Sequence, residues 1–387
     1  MPSVPADGVR PFELRTPATY LAACSHSPYH RGLAEALDRY RDDLIRLGNP
    51  WELWVEKIAE AKGLFARLIG ARPEEVAPQP SVSAALGTLL SAFEYRTRNE
   101  IVVSDLEFPT TNHVALGQRR YGARVVTVRH QNYRIAPGQY AAAVGPSTAL
   151  VSAVHVSSLN GFRQEIRPLS EIAHRAGAPI YVDAYQSLGT VPLDVRADDI
   201  DFLAAGTLKY LLGLPGLAFL FARAERIPEL RPTYIGWFSQ KDPFGFGAQE
   251  LQFADSADRF QSGTWAIPAV YGSIEGLKII LDVGVGPIAR KIGELTRYAI
   301  ERGEAAGLTT ITPHDDDARG AIVAFTVSDP HGFETRLRSE GIITSSRGIG
   351  LRIAPHFYNT RADIDLAVDR ITALERARSS ATRPAAA

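Results

Sequence analysis

A chain of 387 residues is longer than one hydrophobic core usually serves, so it predicts a large domain with a smaller one attached. Hydrophobic residues at 45% and charged residues at 22% are ordinary globular usage, which excludes a mainly disordered or fibrous chain. With 42 basic against 43 acidic side chains the net charge is -1, so no basic surplus points to nucleic acid or an anionic membrane, and the lone cysteine, Cys24, excludes an internal disulfide and a multi-thiolate metal site.

Residues 1–30 read as an N-terminal arm. Their opening stretch, MPSVPADGVRPFELR, lacks a basic segment followed by an apolar one, so a cytoplasmic protein without a signal peptide is expected. Over 31–70 the spacing is helical: Leu33, Ala36 and Leu37 first, then Trp51, Leu53, Trp54, Ile58, Ala61, Leu64 and Leu68 after Pro50. From about 80 to 225 short apolar runs alternate with helical stretches. Strands are expected at 100–104, 123–128, 149–156, 180–182, 202–205 and 216–221, with helices at 83–94, 111–120 and 168–176 between them. Near-continuous apolar strands separated by helices predict a mostly parallel sheet covered on both faces, an α/β large domain over 31–255. Its most apolar run, 210–222, is too short to span a bilayer and is broken by Gly213, Pro215 and Gly216. The segment 234–247, rich in Gly, Pro and aromatics, reads as a loop with a function. Beyond it a long helix over 266–306, strands at 321–326 and 351–354 and a last helix over 363–377 predict a smaller α+β domain spanning 256–376, followed by a frayed tail at 377–387.

The chemistry concentrates at two strand ends. Strand 180–182 delivers Asp183 at its carboxyl end, where ligands sit in open α/β sheets, and Gln186 follows three residues later. The next strand delivers Gly206, Thr207 and Lys209. Lysine occurs at only six positions while arginine supplies the other 36 basic residues, so few lysines are available for chemistry. A lysine amine forms a Schiff base with a carbonyl cofactor, and a carboxylate holds a pyridine nitrogen protonated. Taken alone, the pair reads rather as an ordinary buried ion pair or a solvated strand end. A nucleotide-binding protein is disfavoured, because no Gly-rich phosphate fingerprint follows the first strand.

Asp183-x-x-Gln186, followed further on by Gly206-Thr207-x-Lys209 and a Gly-rich turn, resembles the core of the class V aminotransferase group of PLP-dependent fold type I enzymes. That group includes cysteine desulfurases, kynureninases and related lyases, epimerases and transaminases. The likeness runs from about Tyr20 to about Ile371. It implies the PLP-dependent transferase fold, pyridoxal 5'-phosphate (PLP) as cofactor, a small amino-acid substrate and a homodimer, with neither nucleic acid nor membrane as partner.

Carried over, Lys209 holds the cofactor as a Schiff base and moves the substrate's α-proton, Asp183 partners the pyridine nitrogen, and Gln186 donates to the ring's phenolic oxygen. Ser83 and Ala84 in SVSAALGTLL, with Val82 beside them, match the phosphate cup, which suits a helix N-terminus; read alone, Ser81 or Ser83 is a plain N-cap. Thr207 is a second phosphate ligand, and Thr264 in FQSGT reaches the phosphate of the neighbouring subunit. Phe108 in LEFPTTNH stacks on the cofactor, where desulfurases place a histidine. Arg352 grips the substrate α-carboxylate as a bidentate fork, and His26 touches substrate. Tyr234, Trp237 and Phe238 either wall an apolar substrate pocket or pack a domain interface.

Departures narrow the reaction. ITSSRGIG carries no thiol, so persulfide-forming desulfurase activity is not expected, and Cys24 reads as a small packing residue. Ser158 stands where many relatives carry asparagine. Phe108 and Trp237 lean toward kynureninase-like C–S or C–C side-chain cleavage. Amino transfer to a keto acid uses the same residues and stays open, with a non-catalytic PLP-binding protein as the third reading.

Overall fold

The computed structural model describes residues 13–14 and 18–381. Its centre is a seven-stranded sheet in the order Val76–Gln79, Ala218–Ala222, Phe202–Gly206, Ile180–Asp183, Thr148–Val154, Glu100–Ser104, Arg124–Val128. Only Ala218–Ala222 runs antiparallel to its neighbours. Six of the seven strands are buried along their whole length, which is why they read as continuous apolar runs. The exception is Arg124–Val128 at the edge. One apolar cluster, containing Phe65, Val102, Val182 and Phe219, covers one face; another, with Leu86, Ile101, Tyr181 and Leu220, covers the other.

Val76–Gln79 was not foreseen, because Pro78 and the acidic pair before it read against a strand. It lies at the other edge of the sheet, where a residue without an N–H costs no ladder bond.

A four-stranded antiparallel sheet forms the smaller unit: Ser345–Arg347, Gly350–Ile353, Val323–Thr326 and Thr309–Thr310. Its core of Phe325, Phe333, Leu351 and Ile371 is separate from that of the large sheet. The long helix expected over 266–306 is two helices, Ile267–Val283 and Val285–Ala305, broken at Gly284 in the left-handed region (φ 84). Past the boundary expected at 255/256, Ile267–Val283 buries Val270, Ile274 and Leu277 in the large-sheet core. At the other end, Arg361–Ala381 carries helix into the segment expected to fray; residues 382–387 lie outside the described region.

The N-terminal arm is stitched to the centre of the molecule. Thr19–Tyr20 pairs with Ile342–Ile343, Ser27 N donates to the Leu208 carbonyl at 2.8 Å, and the Ser27 hydroxyl donates to the Gly213 carbonyl at 3.0 Å. The rest of the arm expected over 1–30, residues 1–12 and 15–17, falls outside the described region. Among the described residues no helix is long and apolar enough to cross a membrane.

The turn after Lys209 is held from behind by Ile267–Val283. Gly276 lets that helix touch the turn's backbone: a Cβ there would meet the Leu211 carbonyl oxygen at 2.2 Å. Gly276→Ala therefore forces the helix off the turn and is expected to destabilise the fold by about 1–3 kcal/mol, read as a lowered Tm. An unchanged Tm would show that the turn is not pinned there.

Candidate active site

Four neighbouring parallel strands end at one cavity of about 190 Å³. After Glu100–Ser104 come Phe108, Thr110 and Thr111; after Thr148–Val154 comes Ser158; after Ile180–Asp183 come Tyr185 and Gln186; after Phe202–Gly206 come Leu208 and Lys209. Ser81, Val82, Ser83 and Leu86 close it with the start of the helix Val82–Leu90. Parallel register brings Asp183 level with Ala204, so the acid and the lysine emerge from adjacent strand ends.

Lys209 and Asp183 line this cavity, yet no ion pair joins them. Among the described residues Lys209 Nζ has no hydrogen-bond partner either. Its Nζ stands 4.1 Å from the centre of the Tyr185 ring and 5.7 Å from that of Phe108. Burial pulls the ammonium down to about 8, against the pull of Asp183 in the other direction. Asp183 is buried and takes one hydrogen bond, from Tyr185 N at 2.9 Å; burial pushes its carboxyl up, with the Tyr185 bond and Lys209 opposing. Two buried, unpaired, oppositely charged groups facing one space rule out the simple ion pair.

Gln186 Nε2 donates to the Cys24 carbonyl at 3.0 Å, which fixes the amide and leaves a second N–H, while Oε1 is buried without a partner. Ser81 caps the helix by accepting from Ala84 N at 3.1 Å, so the plain N-cap reading holds for Ser81. Ser83 lines the cavity, and its hydroxyl reaches Thr110 at 3.3 Å; Ala84 does not line it. Thr207 is not at the cavity. Its buried hydroxyl lies 3.1 Å from the carbonyls of Leu214 and Leu217 and accepts from Ser273 at 2.8 Å, so it shapes the turn that presents Lys209.

Arg352 is 1% exposed and does not line the cavity itself; it sits behind Ser158, which does. Nη1 donates to the Ser158 carbonyl at 2.6 Å, Nη2 to the Ser345 hydroxyl at 2.6 Å and Nε to the Ser345 carbonyl at 3.3 Å. One N–H on each terminal nitrogen is left, the pair that grips a carboxylate end-on. No acid of the described residues pairs with it, and a buried cation without a counter-ion calls for an anion.

Other expected residues stay apart in this chain. His26 and Thr264 are exposed and line no part of the cavity. Tyr234 is 55% exposed. Trp237 packs into an aromatic group with Trp51, Phe238 and Phe246, ring centres 5.6, 4.0 and 5.9 Å away. These contacts lie away from the cavity, and Trp237 and Phe238 do not line it.

Tyr185, Thr110 and Thr111 were missed, although each lies inside a quoted motif. So was Glu107: buried, accepting from the Ser152 hydroxyl at 3.1 Å, its other oxygen unpartnered, its carboxyl pushed well up by burial and by Asp183. The signal was present, since any polar residue at a buried strand end beside Asp183 belongs to the site's electrostatics.

The family described as Aminotransferase class-V matches residues 51–368. The chain belongs to that family. Similar to this class-V member, at 35% identity over 92% of this chain and 94% of the relative, is an uncharacterized aminotransferase, YcbU, of Bacillus subtilis (strain 168). An isopenicillin N epimerase of Streptomyces clavuligerus is 29% identical over 90% and 93% of the two chains, and a kynureninase of Bacillus mycoides (strain KBAB4) 27% over 82% and 77%. Among solved structures, the cysteine desulfurase of Thermococcus onnurineus NA1 superposes with a TM-score of 0.83 at 22% identity, covering 93% of this chain and 95% of that one. These likenesses establish the PLP-dependent fold type I.

Class-V enzymes are PLP-dependent, and the cavity fits that cofactor. Lys209 offers a free amine, Asp183 an underbonded buried acid, and Gln186 a remaining amide N–H on the same wall. Ser83 and the helix start offer the phosphate end, and Phe108 a flat ring. Because only the unprotonated amine attacks an aldehyde, capture of PLP by the apoprotein is expected to quicken as pH rises and to level off above about 8. Absorbance time courses across pH 6–10 check this; a midpoint near that of a free lysine would contradict the effect of burial.

Proposed function

We propose that this class-V enzyme transfers the amino group of an α-amino acid to a keto acid. Bound PLP supplies an aldehyde for amine exchange and an electron-withdrawing ring for the substrate α-carbon. Asp183 holds the ring nitrogen cationic, and its burial away from water strengthens that hold. Phe108 lines the cavity and would exclude water from one side. Arg352 takes the α-carboxylate and orients the α-carbon toward Lys209. Lys209, once free, would take the α-proton at Nζ and carry it to the neighbouring carbon of the cofactor rather than back to the α-carbon.

One observation carries this reading. Of the titratable groups lining the cavity, Lys209 alone is poised near neutrality; Tyr185 is pushed up to about 12, and Asp183 is needed as a fixed partner. A single proton carrier suits a reaction in which one group takes a proton from one carbon and sets it down on the next. The kynureninase-like reading loses support from Trp237, which packs elsewhere, and keeps that of Phe108. We further propose a cytoplasmic homodimer in which the exposed Thr264 serves the phosphate of the neighbouring copy, with an arm, a large domain and a small domain in each.

Incubation of the purified enzyme with an amino-acid panel, with and without keto acids, tests the reaction. One equivalent of product alone and many turnovers once a keto acid is added are expected. Repeated turnover without a keto acid, with a released side-chain fragment, would replace amino transfer by lyase chemistry.

A further inference from the structure

Beside Arg352 stands a second arginine that no motif called for. Ser345–Arg347 and Gly350–Ile353 form a hairpin in which Ser345 pairs with Arg352 and Arg347 with Gly350. Side chains alternate faces along a strand, and paired residues share one, so Arg347 and Arg352 project from the same face. The Ser345 hydroxyl bonding Arg352 Nη2 confirms which face that is. The Arg347 guanidinium lies 5.3 Å from the centre of the Phe108 ring, whose other cation is Lys209 at 5.7 Å. It has no hydrogen bond and no ion pair among the described residues, whereas the neighbouring arginines 336 and 338 are each tied to a glutamate. Burial and the nearby charge of Arg352 pull its proton affinity down. Arg347 is exposed and Arg352 buried, so one face carries two like charges at different depths with no acid paired to either among the described residues, and an anion there would relieve their repulsion.

Resting on the amino-acid reading above, we infer that the substrate carries a second carboxylate, bound by Arg347 at the cavity mouth while Arg352 holds the α-carboxylate. A single guanidinium matches one negative charge in a planar fork, which suits a carboxylate better than a phosphate dianion. The substrate class is thus the acidic α-amino acids, and Arg347 sets specificity without handling the reacting proton.

Spectral titration of the PLP-loaded enzyme with matched pairs, aspartate against asparagine and glutamate against glutamine, tests this without turnover. The acid is expected to bind at least about tenfold more tightly than its amide in one pair, a gap that narrows as salt is raised. Arg347→Gln should collapse the ratio to about one, and Arg347→Lys should restore part of it. Equal binding of acid and amide by the unsubstituted enzyme overturns the inference, and this comparison needs no variant to fold. A ratio that survives Arg347→Gln overturns it too. Alanine or norleucine perturbing the spectrum as strongly as either acid overturns the inference and leaves the amino-acid reading standing. No response to any amino acid removes the amino-acid assignment and the inference with it.

Discussion

Lys209→Ala is expected to lower turnover by at least about 10³-fold, the combined loss of a covalent anchor and of the proton carrier. The amine is the cation of the cavity, buried and without a hydrogen-bond partner among the described residues, and burial brings it to about 8 so that it works near neutrality. No neighbour replaces it. Tyr185 beside it stays protonated, and Asp183 already serves as a fixed charge. PLP should still associate with the variant through the remaining wall, without a borohydride-stable link. Added small amines should restore part of the rate, more at higher pH, because they supply the missing proton carrier. Steady-state assays with and without such amines check this. A variant keeping a tenth of the activity would transfer the chemistry to another group.

The second large effect separates function from stability. Asp183→Asn is expected to cost about 10²–10³ in turnover, since a neutral amide no longer holds a ring nitrogen cationic. The same change should raise the melting temperature of the apoprotein by about 1–3 °C at pH 8. Burial pushes the Asp183 carboxyl up, so the folded chain holds that proton more tightly than the unfolded chain does. Ionising the group therefore opposes folding: its contribution is most favourable at low pH and is lost as pH rises through the raised folded value. Asparagine keeps the acceptor that Tyr185 N uses and removes the ionisation. The gain should shrink toward pH 4. Paired melting curves of the two apoproteins at pH 4 and pH 8 measure it, and a variant less stable at pH 8 would show that Lys209 offsets the burial of Asp183 fully.

Much of this was readable from residues alone where burial is complete. Strands such as Phe202–Gly206 are apolar throughout, so their pattern does not depend on which neighbour they meet. Asp183 and Lys209 stood out because a charge directly after such a strand must end in a site or a pair. What escaped depends on contacts distant in sequence. Val76–Gln79 contains a proline that only an edge position tolerates. The helix Ile267–Val283 looks like any apolar helix until Gly276 lets it press on the turn after Lys209. Thr207 has the right type and spacing for a phosphate ligand, but the turn claims its hydroxyl through Leu214, Leu217 and Ser273. Trp237 finds an aromatic neighbourhood reachable only once Trp51 is folded beside it. Arg347 was hidden among 36 arginines; the hairpin register with Arg352 singles it out, and that register is a tertiary fact.

Trapping the bound vitamin is the most direct test. The protein, loaded with PLP and reduced with borohydride, is digested and its peptides mapped by mass. The pyridoxyl group should sit on the peptide containing Lys209 and on no other of the six lysines. Label on a different lysine, or none retained after reduction, would contradict the site described above.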